Sequence, residues 1–120
     1  MFRQYKYKFY LNANHSIMIN GNQGRVHPHT WEIAINIAQL NQDFQEFSNI
    51  EKCIESLLEP YQDKYLNEVA PFDRINPTLE NICDFFKDVF EEELIRLDYV
   101  LLTIEISETP TRSYILNLVD

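Results

Sequence analysis

Basic side chains are scarce in this sequence. Lys and Arg total ten against nineteen Asp and Glu, a net charge of −9. That balance disfavours a nucleic-acid partner, because gripping a phosphate backbone calls for clustered cations. It disfavours an anionic membrane surface for the same reason. Long apolar runs are missing too, since none approaches the ~20 residues that a membrane-spanning helix needs. The N-terminus lacks the basic-then-apolar order of a secretory signal. Two cysteines are too few for a disulfide framework. No repeat, linker or low-complexity tract breaks the chain. These absences leave a soluble, cytoplasmic protein as the expectation. A length of 120 residues suggests one domain, 1–120.

What the chain does have is apolar surface: 45% of residues are hydrophobic, including eight Phe and seven Tyr, enough for a real core. From Tyr5 to Ile17 the odd positions are Tyr5, Tyr7, Phe9, Leu11, Ala13, His15 and Ile17, while Lys6, Lys8, Tyr10, Asn12, Asn14 and Ser16 fall between them. Period two marks a strand with one apolar face. The pattern returns over 26–40, with Trp31, Ile33, Ile35 and Ile37 on one face and Thr30, Glu32 and Asn36 on the other. "NGNQG" (20–24) between them has turn chemistry. The first forty residues therefore read as a long antiparallel hairpin. Residues 44–61 change to helical spacing through Phe44, Phe47, Ile50, Ile54, Leu57, Leu58 and Tyr61. A polar loop, "DKYLNEVAPFDRI", leads to a second helix with Asn76 as its expected cap and Pro77 in its first turn. Its stripe is Leu79, Ile82, Cys83, Phe86, Phe90 and Leu94, with Glu91–Glu93 as a solvated face. Residues 99–107 and 112–119 form a second hairpin turning at "ETPT". Cys53 and Cys83 lie on or beside apolar stripes, the usual place of small buried thiols.

Histidine is rare, and its placement is the informative feature. The three histidines, His15, His27 and His29, fall within fifteen residues of sequence. His27 and His29 are two apart on a strand and point to one face, that of Trp31. His15 has the parity of Leu11, on the apolar face of the partner strand. A turn centred near residue 21 or 22 brings position 15 beside position 27. The three imidazoles then converge at one end of the hairpin. Three histidines leave zinc an open fourth position, the pattern of catalytic sites. His-x-His on a strand is nonetheless a weak motif, and a histidine taken alone is more often a hydrogen-bonded core or surface residue.

"FYLNANHSI", "GRVHPHTWEIAI", "KYLNE", "NPTLENI" and "ISETPT" occur in the order seen in one family. The chain resembles the 6-pyruvoyl-tetrahydropterin synthases, whose bacterial branch includes the 6-carboxytetrahydropterin synthases of queuosine biosynthesis. The resemblance covers nearly the whole sequence. It implies an α+β T-fold in the order β-β-α-α-β-β, a four-stranded antiparallel sheet with two helices on one face. It implies that His15, His27 and His29 bind Zn²⁺. Glu108 would grip the N–H edge of a pterin, since a carboxylate accepts two parallel N–H bonds; its bland alternative is an exposed glutamate at a hairpin end. Thr78 and Glu80 would line the pocket, with helix capping as the alternative for Thr78. The resemblance also implies a homo-oligomer, a hexamer built as a dimer of trimers, with active sites between subunits. Such rings would cover long strand edges.

The sequence departs from the family pattern in the proton relay. The family places a cysteine four residues before His-x-His, and here that position is Gln23. Some branches use a glutamate in that loop, but residues 20–25 contain no acid. The family's Asp-His pair falls on Gln62 and Asp63, and the glycine between the zinc ligands on Pro28. The family reaction expels triphosphate from dihydroneopterin triphosphate, and a base must remove a proton from carbon. A Gln amide has no pKa suited to this. Asp63 is the catalytic candidate that is left, with a solvated loop aspartate as the alternative. Two leading functions follow: a zinc-dependent lyase with an altered relay, or a non-catalytic metal- and pterin- or purine-binding protein. A third is a ring-forming structural or regulatory subunit whose zinc only fixes the hairpin.

Overall fold

Alternating apolar residues make β1 (Gln4–His15) and β4 (His27–Gln39) the two long strands of the first hairpin. The computed structural model describes residues 3–119, so the expected domain limits at residues 1 and 120 lie outside it. The two strands pair antiparallel from Gln4↔Ala38 to His15↔His27. Phe9, Leu11, Ala13 and His15 are buried on the face that also buries Trp31, Ile33, Ile35 and Ile37. The expected turn is more elaborate than a loop. It holds two short strands, β2 (Met18–Ile19) and β3 (Asn22–Gln23), folded about Asn20 and Gly21 at φ 51° and 80°.

Two helices, α1 (Phe47–Leu58) and α2 (Leu79–Arg96), cover that face. Ile50, Ile54 and Leu58 of α1 are buried at four-residue spacing. Ile82, Cys83, Phe86, Phe90 and Leu94 of α2 complete the stripe read from the sequence. The second hairpin, β5 (Tyr99–Thr109) and β6 (Arg112–Asn117), joins the sheet in the order β1-β4-β5-β6, all antiparallel. The result is the expected α+β T-fold.

Three local expectations are corrected. The first helix starts at Phe47, not Phe44, which is 88% exposed. Gln39 donates to Asn41 and to the Asp43 carbonyl, and Asn41 accepts from the Asp43 amide. These side-chain bonds hold the chain in a loop and compete with helix. The helix also ends at Leu58, and a 3₁₀ turn over Glu59–Tyr61 follows. Asn76 is not the cap of α2: Thr78 is, accepting from the Asn81 amide at 3.1 Å. Pro77 precedes the cap instead of lying inside the first turn. Nor is the connecting segment simply polar, since Leu66 and Phe72 are buried in the core.

That segment has its own function in the fold. Three of its side-chain amides bind β1 and the chain just beyond as a neighbouring strand would. Gln62 accepts from the Asn12 amide at 3.0 Å and donates to the Tyr10 carbonyl at 2.8 Å. Asn67 does the same to Ser16 at 2.9 and 2.8 Å. Asn76 does it to Met18, with both bonds at 2.9 Å. This explains the failed cap, because the Asn76 side chain is committed to the hairpin. These stitches fix the stretch that carries His15 against the start of α2.

Candidate metal centre

Strand parity brings the three histidines together. Their ring nitrogens lie within 4.8 Å of one another, at the end of the β1–β4 ladder. His15 is fully buried, while His27 and His29 are partly exposed. Trp31, also fully buried, meets the His15 ring edge-on at a centroid distance of 4.9 Å and lies 5.2 Å from that of His29.

The hydrogen bonds decide which nitrogens are free. His15 Nδ1 lies 2.8 Å from the Pro77 carbonyl, and His27 Nδ1 lies 3.0 Å from the Arg25 carbonyl. A carbonyl only accepts, so Nδ1–H is the donor in both rings and each neutral Nε2 keeps its lone pair. Yet His15 Nε2 and His27 Nε2 face each other at 2.9 Å. Two lone pairs at that distance repel, so the contact is favourable only around a cation or a shared proton. Burial, first among the causes, holds His15 and His29 below the ordinary histidine value of 6.5. For His15 the bond to Pro77 opposes that shift, and neighbouring His27 adds to it. Neutral imidazole is the form that binds a metal. Each Nδ1–H held by a carbonyl also fixes ring orientation, as in metal sites generally. Three imidazoles suit zinc by ligand type.

Glu108 belongs to the same neighbourhood. Its Oε1 lies 3.7 Å from His15 Nε2 and 3.9 Å from His29 Nε2. That oxygen is buried and has no hydrogen-bond partner among the described residues. The other oxygen lies 3.6 Å from the Arg112 guanidinium. The pairing of β5 with β6 steps from Ser107↔Ser113 to Thr109↔Arg112, so Glu108 is the residue left over in a bulge. Bulges often re-aim a side chain beside a functional site.

The remaining expected site residues are spread more widely. Thr78 spends its hydroxyl on capping α2. Glu80 is exposed in the first turn of α2, where its charge complements the helix dipole. Gln23 donates to Ser16 Oγ, which also lies 2.8 Å from the Tyr65 hydroxyl. Gln62 is spent on β1. Asp63 adopts φ 60°, donates its amide to the Asn12 carbonyl at 2.6 Å, and lines a cleft with Asn12, Pro28, His29 and Thr30. Among the described residues, no hydrogen bond joins Asp63 or Glu80 to the histidines. Sequence reasoning missed Arg112, which a charge pairing with Glu108 across the turn could have found. It also missed the Pro77 and Arg25 carbonyls, which leave no trace in side-chain type.

A family model described as 6-pyruvoyl tetrahydropterin synthase matches residues 4–118. The chain belongs to that family. Among solved structures, the 6-pyruvoyl tetrahydropterin synthase of Caenorhabditis elegans is similar at a TM-score of 0.76 and 14% identity, covering 98% of this chain and 96% of that one. An uncharacterised protein from Wolinella succinogenes reaches 0.75 at 12% identity, with 99% of each chain covered. A catalytic-residue mutant of the Plasmodium vivax 6-pyruvoyltetrahydropterin synthase, a glutamate replaced by alanine, gives 0.69 at 12%, covering 97% and 99%. At these identities the structural likeness is one of fold. No protein of curated function matches the chain. In this chain Gln23 and Gln62 are both engaged in structural bonds, to Ser16 and to β1.

Proposed function

We propose that this family member is a zinc-binding, tetrahydropterin synthase-like protein that holds a pterin such as dihydroneopterin triphosphate and turns it over weakly. The carrying observation is the pair of Nε2 lone pairs facing at 2.9 Å, with both Nδ1 hydrogens already committed. His15, His27 and His29 would hold the ion. Zinc, when bound, supplies a Lewis acid for the substrate's side-chain hydroxyls. Glu108 accepts from the N–H edge of the ring, and Thr78 and Glu80 line the approach.

Proton transfer is the weak part. Gln23 donates to Ser16 and Gln62 grips β1, and neither amide is a base at neutral pH. Asp63 is the remaining acid–base candidate. The commitment of both glutamines to structural bonds also favours the second reading, a metal- and pterin- or purine-binding protein with no lyase activity.

Assembly follows from the strand edges. The outer edge of β1 is occupied at Tyr10–Asn14 by residues 62–65, through Gln62, Asp63 and Lys64. Gln4–Lys8 of β1 and the outer edge of β6 have no such cover among the described residues. We place the contact between copies there, in a ring and a hexamer of two such rings.

Metal-replete protein incubated with dihydroneopterin triphosphate and analysed by chromatography tests the reading. The pterin should be bound, with turnover ~10²–10⁴-fold below that of a relative with a complete relay. Asp63→Asn should remove the residual rate and spare binding. Undiminished turnover would mean another base is present. Zinc uptake without pterin binding would support a structural role for the metal.

A further inference from the structure

We propose that Glu108 is itself the fourth metal ligand in the ligand-free protein, closing the position that the three histidines leave open. The inference rests on the metal reading above and gives Glu108 a second state besides gripping the pterin.

The sheet aims Glu108 at the histidines by a specific device. It is the extra residue of the β5 bulge, so its position is not set by ladder pairing. Its Oε1 stands 3.7 and 3.9 Å from Nε2 of His15 and of His29. With metal–donor bonds of ~2.0–2.2 Å, the corners of a tetrahedral site are ~3.3–3.6 Å apart. The carboxylate oxygen is therefore already close to a corner-to-corner spacing from two histidines. The third, His27, lies 2.9 Å from His15.

The oxygen's surroundings point the same way. Oε1 is buried and makes no hydrogen bond among the described residues. A buried carboxylate oxygen without a donor is costly, and buried charges are as a rule paired or bound to metal. Arg112 lies on the other side, 3.6 Å from Oε2. That contact takes up Oε2 and leaves Oε1 as the donor directed toward the histidines. Arg112 itself is largely exposed and reaches over from the start of β6.

The arrangement makes ligand recognition and site opening one event. A pterin's N–H edge needs both carboxylate oxygens for parallel bonds. To offer both, Glu108 must release the metal corner, which then becomes free for the ligand's hydroxyl. Until that exchange, Glu108 keeps small anions and water from the corner.

Cobalt and azide serve as probes that do not depend on turnover. Cobalt-loaded wild-type protein should show little change in its visible spectrum on azide titration. Glu108→Gln and Glu108→Ala should open the corner and bind azide ~10-fold or more tightly, while zinc affinity in chelator competition falls ~10-fold or more. Asn49→Ala, an exposed position on α1 away from the histidines, should retain zinc and serve as a folding control. A crystal structure of zinc-loaded wild-type protein needs no variant, and Glu108 Oε1 should lie at ~2.0–2.2 Å from the ion. Water at that corner, or azide and zinc affinities unchanged in both Glu108 variants, overturns the proposal and leaves the three-histidine site standing. Failure of wild-type protein to take up cobalt or zinc would overturn the metal reading itself, and this proposal with it.

Discussion

The value of a histidine as a ligand depends on where its other ring nitrogen goes. Parity in the sequence puts His15, His27 and His29 on one face, and the structure gathers them there. The bonds from Nδ1 to the Pro77 and Arg25 carbonyls, which free Nε2 for a ligand role, could not be read. They depend on main-chain atoms distant in sequence or set by local geometry. The cysteines were legible, because position in an apolar stripe is enough to signal burial. Burial pushes the Cys83 thiol up to about 12 and raises that of half-buried Cys53, with Glu93 adding to the latter. Neither thiol is therefore a ready thiolate at neutral pH. In native protein at pH 8, Cys83 should resist a thiol reagent, and Cys53 should react more slowly than a free thiol. Unfolding should release both. Rapid native labelling of Cys83 would contradict its place under α2.

Elements with a clean period were legible to within a few residues, because burial of one face decides them. The four long strands and both helices appear where alternation and helical spacing put them. Legibility fails where polar side chains replace backbone. Gln39 and Asn41 hold a loop where spacing alone reads helix from Phe44. Asn76 looks like a cap yet binds Met18. The same physics hides the stitches of Gln62 and Asn67, since a side-chain amide used as a strand neighbour has no periodicity. A pair of such bonds contributes ~1–3 kcal/mol at ~0.5–1.5 kcal/mol each. Asn67→Ala should lower stability by about that amount in a denaturant melt. Its effect should also reach His15, one residue from Ser16, as weaker zinc binding. Asn49→Ala, on the solvent side of α1, should do neither. A loss of stability with unaltered zinc affinity would mean that the stitch does not position His15.

At the scale of the molecule, the fold and family were legible from the order of motifs, while the assembly was only implied. A sheet with β1 and β6 at its ends has two edges, and the connecting segment occupies only part of one. Open edges invite pairing with another chain. Light scattering on dilute protein should give the mass of a hexamer, and Lys6→Pro, which puts a ring on the uncovered edge of β1, should shift it to smaller species. A monomer mass for the unaltered protein would remove the ring and the intersubunit sites together. The central claim, however, is the metal centre, and its most direct test is elemental analysis of protein purified without a histidine tag. The wild type should carry ~1 zinc per chain, as a three-histidine site requires, and His27→Ala should carry almost none. Wild-type protein that remains empty after reconstitution with zinc would contradict the account.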